Sequence, residues 1–229
     1  MHLPVESAID IDGITNKVGM IRKTVHNYPR IFTGYFGQVR DIIIVESTWL
    51  GYFEPYITAQ VSSFVYEMML QNNQQTLIDE YGMNPFEVLV LNPKRTLCEK
   101  IMSLVRFSQT QDPIADLRNK IRHTYDIHLI LKEENLKSFF ESDEFETMLL
   151  QVANDDIASF KNNNKWLANH PTTAIIFSDT ADTWNKIKST YTGNFSELVF
   201  DKLPDEMEIL KSLTTIADRL KPIEWNIKP

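Results

Sequence analysis

Phe86 to Phe107, FEVLVLNPKRTLCEKIMSLVRF, holds the point at which one kind of structure gives way to another. Phe86 to Leu91 is a short apolar run of strand character. Asn92-Pro93 then punctuates the chain, because proline cannot donate to a sheet ladder and restricts the residue before it. From Thr96 to Phe107 the apolar residues return with a helical period, Leu97, Ile101, Leu104 and Val105 sharing one stripe. Thr96 stands where an N-cap is expected, with Glu99 three residues on as its capping-box partner.

Toward the amino terminus the signals are those of a sheet. Arg40 to Thr48, RDIIIVEST, is a β-branched run with both faces apolar, the pattern of a strand inside a sheet covered on both sides. Ile21 to Phe32 is a further strand candidate. Six of the seven glycines lie within the first 82 residues, leaving Gly193 alone beyond them, so turn-rich sheet comes first. Toward the carboxyl terminus the periodicity predicts helices over Ile114–Leu131, Glu144–Phe160, Thr180–Thr190 and Asp205–Leu220. Lys161 to Pro171, KNNNKWLANHP, is polar and turn-rich and is expected to join two helical units over the surface. The class is α+β: an α/β part over residues 1–92, then a helical part over 93–229.

With 229 residues, the chain can bury roughly 70–75% of the surface its unfolded form exposes. Its 43% hydrophobic and 24% charged residues exclude a disordered chain. The apolar run Ile42–Val45 is far too short to cross a bilayer, and MHLPVESAID has neither a basic start nor a hydrophobic core. Cys98 is the single cysteine, which excludes an internal disulfide and a thiolate metal cluster within one chain. These features together predict a cytoplasmic protein. A net charge of −8 repels phosphate backbones on average, so any nucleic acid must find a local basic patch.

Several side chains are candidates for chemistry. Lys100 lies at the edge of the apolar stripe, where its ammonium either meets a phosphate in a cleft or is solvated above a buried stem. Asp126, in HTYDIHLIL, sits on a segment apolar nearly all round and needs a partner. Arg122, one turn earlier, offers an ion pair; the functional alternative is a metal ligand or base, and the two are compatible. His123 and His128 flank Asp126, but their offsets spread the three around the helix, which disfavours zinc. His26 and His170 are isolated. Glu46 closes the IIIVE strand as either a solvated terminus or a carboxylate aimed at a site. Asp10 and Asp12 share one face of a possible strand, a pair able to hold magnesium.

Two basic groups stand out. Lys17, Arg22, Lys23, His26, Arg30 and Arg40 lie among Tyr28, Phe32, Tyr35 and Phe36, a mixture suited to RNA or triphosphate or to a solvated strand face. Arg118, Lys120, Arg122 and His123 lie just before Asp126. If the two groups meet, they make a positive patch in an acidic protein.

TNKVGMIRKTVHNYP (Thr15 to Pro29), VRDIIIVESTWLGYFEP (Val39 to Pro55), TLCEKIMSLVR (Thr96 to Arg106) and IRHTYDIHLIL (Ile121 to Leu131) together resemble the second part of the AbiEii-type nucleotidyltransferases, toxins of abortive phage infection and toxin–antitoxin systems. The last two stretches carry most of the likeness: an acid-lysine pair on one helix, a short insert, then an arginine-containing turn into Tyr-Asp-Ile. The resemblance implies a partial nucleotidyltransferase-like sheet followed by a mostly helical region. It implies that Lys100, helped by Arg122, binds the triphosphate of an NTP, that Asp126 is catalytic, and that Glu46 matches a metal-binding carboxylate for Mg2+. It also implies an RNA acceptor such as tRNA and a cognate antitoxin as protein partner.

The family begins with a glycine-rich motif and an acid pair, and this chain has no Gly-Gly or Gly-Ser dipeptide. Those residues should precede Met1, which makes Asp10 and Asp12 part of a later strand that does not bind metal. The resemblance therefore predicts nucleotide binding with little turnover. The competing reading is a non-catalytic interaction module in which the Arg122–Asp126 pair is structural and the chain binds a protein such as an antitoxin.

Overall fold

The computed structural model describes residues 21–27, 42–48, 55–199 and 201–229. Strands β1 (Ile21–Asn27) and β2 (Ile42–Thr48) pair antiparallel, with Val25 opposite Ile44. Strand β3 (Tyr56–Val61) leads into helices α1 (Phe64–Gln71) and α2 (Gln75–Glu80) and pairs antiparallel with β4 (Phe86–Leu91), Tyr56 facing Leu91 and Val61 facing Phe86. The helical part follows: α3 (Pro93–Phe107), α4 (Pro113–Asn119), α5 (Ile121–Lys132), α6 (Glu134–Glu141), α7 (Asp143–Ser159), α8 (Ile175–Ser178), α9 (Thr180–Thr190) and α10 (Glu206–Leu220). The α+β class is as the sequence predicts.

Helix α3 starts a turn before the predicted Thr96. Asn92 accepts a hydrogen bond from the Lys94 amide at 2.9 Å and Pro93 occupies the first turn, where its missing N–H costs nothing. Thr96 therefore lies inside the helix, its hydroxyl donating to the Asn92 carbonyl, and Glu99 pairs with Arg95 instead of closing a capping box. The α3 stripe is the centre of the core: Leu97, Cys98, Ile101, Met102, Leu104 and Val105 are buried, packed mainly against α7 and α5.

Other expectations need correction. The predicted Ile114–Leu131 helix is broken at Lys120 (φ −108°, ψ 15°), so that α4 packs on α9 while α5 packs on α3 and α10. Periodicity runs unbroken through the kink, because Leu117 and Ile121 are both buried and four residues apart. Lys161–Pro171 is not merely a surface connection: Trp166 and Leu167 are buried, and Trp225 donates its indole N–H to the Leu167 carbonyl at 2.8 Å. The β2 strand is not covered on both sides either. Ile43, Ile44 and Val45 are 45%, 39% and 50% exposed, and since successive side chains alternate, both faces are open there; β2 pairs with β1 alone among the described residues.

The remaining strand and helix expectations fare better. Helix α7 begins one residue before the predicted Glu144, α9 occupies the predicted span, and α10 starts with a capping box of Asp205 and Glu208. Strand β4 also occupies its predicted span. Of the predicted Ile21–Phe32 strand, Tyr28–Phe32 lie outside the described residues, as do Asp10, Asp12, Lys17, Arg30, Tyr35, Phe36 and Arg40.

Candidate functional site

Lys100 projects from the middle of α3 toward α5, and Asp126 projects from the middle of α5 toward α3. Lys100 Nζ donates to Asp126 Oδ2 at 2.7 Å, with the two side chains 19% and 25% exposed. Arg122, the partner expected from helical spacing, is secondary: its Nε lies 3.9 Å from the same oxygen and its side chain is 70% exposed. The short contact across helices gives the half-buried acid of the apolar α5 segment its partner.

Glu46 is not joined to this trio. It pairs with Lys23 at 3.0 Å across the β1–β2 ladder, and among the described residues no group of three His, Cys, Asp or Glu side chains gathers to hold a metal. Glu46 is 49% exposed, and the Lys23 ammonium is its ion-pair partner among the described residues.

The second basic group does converge. Arg118, Lys120, Arg122 and His123 line a groove of about 450 Å3 together with Thr190, Asn194, Phe195 and Leu198. Burial first, then the nearby Lys100 and Lys120 ammoniums, pushes the His123 imidazole down to about 4, so it is neutral at pH 7. Burial and the Arg106 and Arg122 charges likewise lower Lys120. The first basic group falls largely outside the described residues; within it, His26 Nε2 lies 3.0 Å from the Thr24 hydroxyl.

Two further histidines among the described residues make contacts across the helical part. His128 Nδ1 lies 2.8 Å from the Ser212 hydroxyl, tying α5 to α10. His170 Nε2 lies 3.0 Å from the Ile223 carbonyl.

Sequence reasoning missed a second polar cluster on the other flank of α3. Arg95 is 2% exposed and bridges Glu99, through Nε at 2.8 Å, and Asp155 of α7, through a terminal nitrogen at 2.8 Å. Nearby, Glu99, Ser103, Arg106, Asp156 and Phe160 line a cavity of about 240 Å3. Burial raises the Asp156 carboxyl to about 6 against the opposing pull of Arg106. The Arg106 guanidinium lies 4.2 Å from the Phe160 ring centre. The i,i+4 spacing of Arg95 and Glu99 was visible in the chain; the distant Asp155 was not.

Lysine, arginine and carboxylate thus meet on two packed helices, with both cations within 4 Å of one Asp126 oxygen. The family model described as "Nucleotidyl transferase AbiEii toxin, Type IV TA system" matches residues 6–211, and the chain belongs to that family. No curated protein and no solved structure matches the chain. Among the described residues, no helix is long and apolar enough to cross a membrane.

Proposed function

We propose that the chain binds an NTP through Lys100 and Arg122 and that Asp126 is the acid–base group of nucleotide transfer to an RNA acceptor such as tRNA. The observation that carries this reading is the 2.7 Å contact between Lys100 and Asp126, half-buried between α3 and α5. An arriving triphosphate competes for the Lys100 ammonium, which neutralises its charge and releases the Asp126 carboxylate. In the transfer itself the acceptor hydroxyl oxygen bonds to the α-phosphorus, the bond from that phosphorus to the bridging oxygen breaks, and pyrophosphate leaves. The hydroxyl proton passes to Asp126, while Lys100 and Arg122 hold the charge that builds on the phosphate oxygens.

Mg2+ belongs to this reading by family resemblance, with Glu46 as its candidate ligand; the acid–base roles above rest on Lys100, Arg122 and Asp126 alone. The family's type IV toxin–antitoxin description supports a cognate antitoxin as a partner.

Calorimetric titration of each magnesium-NTP into the protein and into Lys100→Ala tests the proposal. Binding to the first and not the second is expected; equal binding to both overturns the role of Lys100. The closed ion pair also favours a second reading, a non-catalytic interaction module stiffened by Lys100–Asp126. Under that reading Asp126→Ala lowers the unfolding temperature and leaves NTP binding and label transfer unchanged.

A further inference from the structure

The cavity between α3 and α7 is lined by two opposite charges that do not pair with each other. Arg106 reaches it from the last turn of α3 and Asp156 from the last turn of α7, with Ser103 and Glu99 one and two turns before Arg106. Among the described residues, neither the Asp156 carboxyl nor the Arg106 guanidinium has a side-chain hydrogen bond or an ion pair. The guanidinium is held instead by two rings, 4.8 Å from the Phe107 centre and 4.2 Å from that of Phe160. Half-buried charges ordinarily find a protein partner, and these two face one space of about 240 Å3 unjoined.

Each side of the cavity asks for a different charge. Around Asp156 stand Arg95, Glu99 and Arg106 from α3 and Asp155 from its own helix, three acids against two guanidiniums when Asp156 is counted. Arg95 is already bridged to Glu99 and Asp155. Helix α7 has no basic residue in its last turn, so the negative end of its dipole adds to the pull on a cation there. Arg106 needs the reverse: its N–H donors fit a carboxylate.

A ligand that satisfies both must carry an anion and a cation a few atoms apart. The rest of the lining includes Met102 and Phe160, an apolar wall, and the Ser103 and Ser159 hydroxyls. The volume lies below the roughly 300–1,000 Å3 of sites for drug-sized molecules, which limits the ligand to a small one.

We propose that this cavity binds an apolar α-amino acid, its carboxylate on Arg106, its ammonium on Asp156 and its side chain against Met102 and Phe160. None of these residues takes part in the nucleotide transfer read above, so the site stands or falls independently of it. Binding also moves protons. Burial holds the free Asp156 carboxyl at about 6 against Arg106, with Glu99 and Asp155 adding to burial and Arg95 opposing it. An ammonium in contact with Asp156 favours its charged form and outweighs the carboxylate farther off on Arg106. A fraction of a proton is therefore released on binding at pH 6 and almost none at pH 8.

Titration calorimetry of L-leucine, L-methionine and L-phenylalanine into the whole protein, at both pH values and in two buffers of different ionisation enthalpy, tests the proposal. Each is compared with its analogue lacking the ammonium and its analogue lacking the carboxylate. At least one amino acid should bind, release protons at pH 6, and exceed both its analogues by about tenfold or more. The isosteric Asp156→Asn should weaken that binding by about tenfold or more and abolish the proton release, and Arg106→Gln should weaken it to a similar degree. Thermal unfolding confirms that each variant is folded; should Arg106→Gln not fold, Asp156→Asn decides alone. The proposal is overturned if none of the three amino acids binds in the millimolar range, if the analogues bind as tightly, or if a folded variant binds like the parent.

Discussion

Lys100 and Asp126 place opposite charges 2.7 Å apart where each side chain is a quarter exposed or less. At an effective dielectric near 20, unit charges about 4 Å apart attract by on the order of 4 kcal/mol, while desolvation takes much of this back. Removing one partner leaves the other charge half-buried, so Lys100→Met and Asp126→Leu should each destabilise the fold more than the double variant does per residue removed. Urea unfolding of the four proteins in a double-mutant cycle measures the coupling; additive effects would show that the pair adds nothing to stability.

Two further residues make stability depend on pH with opposite signs. His123 is held down to about 4 from an ordinary 6.5, so the unfolded chain takes up a proton first as pH falls, and stability is lost between about 6.5 and 4. Asp156 is raised to about 6 from 3.8, so the folded chain holds its proton longer and stability is gained as pH falls over the same window. His123→Gln should therefore remove the acid loss, and Asp156→Asn should remove the gain, relative to the parent. Thermal unfolding from pH 8 to pH 4 separates the two; parallel curves for all three proteins would contradict both assignments.

At the level of elements, α3 is held at its start and on its flank. Its start depends on the Asn92 side chain, and Asn92→Ala should cost about 1 kcal/mol in chemical denaturation. Its flank depends on buried Arg95, whose loss leaves Asp155 without its cation; Arg95→Ala should cost about 3–5 kcal/mol. At the end of α2, Gly82 (φ 60°) closes the helix with amide bonds from Gly82 to Asp79 and from Met83 to Ile78. An added Cβ there meets nothing within 4 Å, so the loss of about 1 kcal/mol expected for Gly82→Ala would be purely conformational.

For the molecule as a whole, the main cluster of buried residues runs from Leu97 to Ile223 and draws on α3 to α10. Residues before Pro93 contribute nothing to it among those described. A fragment of residues 93–229 should accordingly unfold cooperatively on its own; a broad, non-cooperative transition would show that the helical part depends on what precedes it.

Elements with an uninterrupted period and a chemical start signal were readable along the chain: β4, α9 and α10 carry alternation, helical stripes or a capping box within their own residues. Strand β3 and the short helices α1, α2 and α6 were not, because so few residues per element leave periodicity undefined. The break at Lys120 was also hidden, since a kink between two buried positions four residues apart leaves the stripe intact. By itself, then, the order of residues determined the α+β class, the helical second half, and Lys100, Arg122 and Asp126 as site candidates, because local spacing and residue type act over one or two helical turns. Only the tertiary structure decided that Lys100 rather than Arg122 closes on Asp126, that Asp155 reaches Arg95, and that four basic residues share a groove with Thr190 and Asn194. Each of those contacts joins residues far apart in the chain, and its geometry is set by how the helices pack.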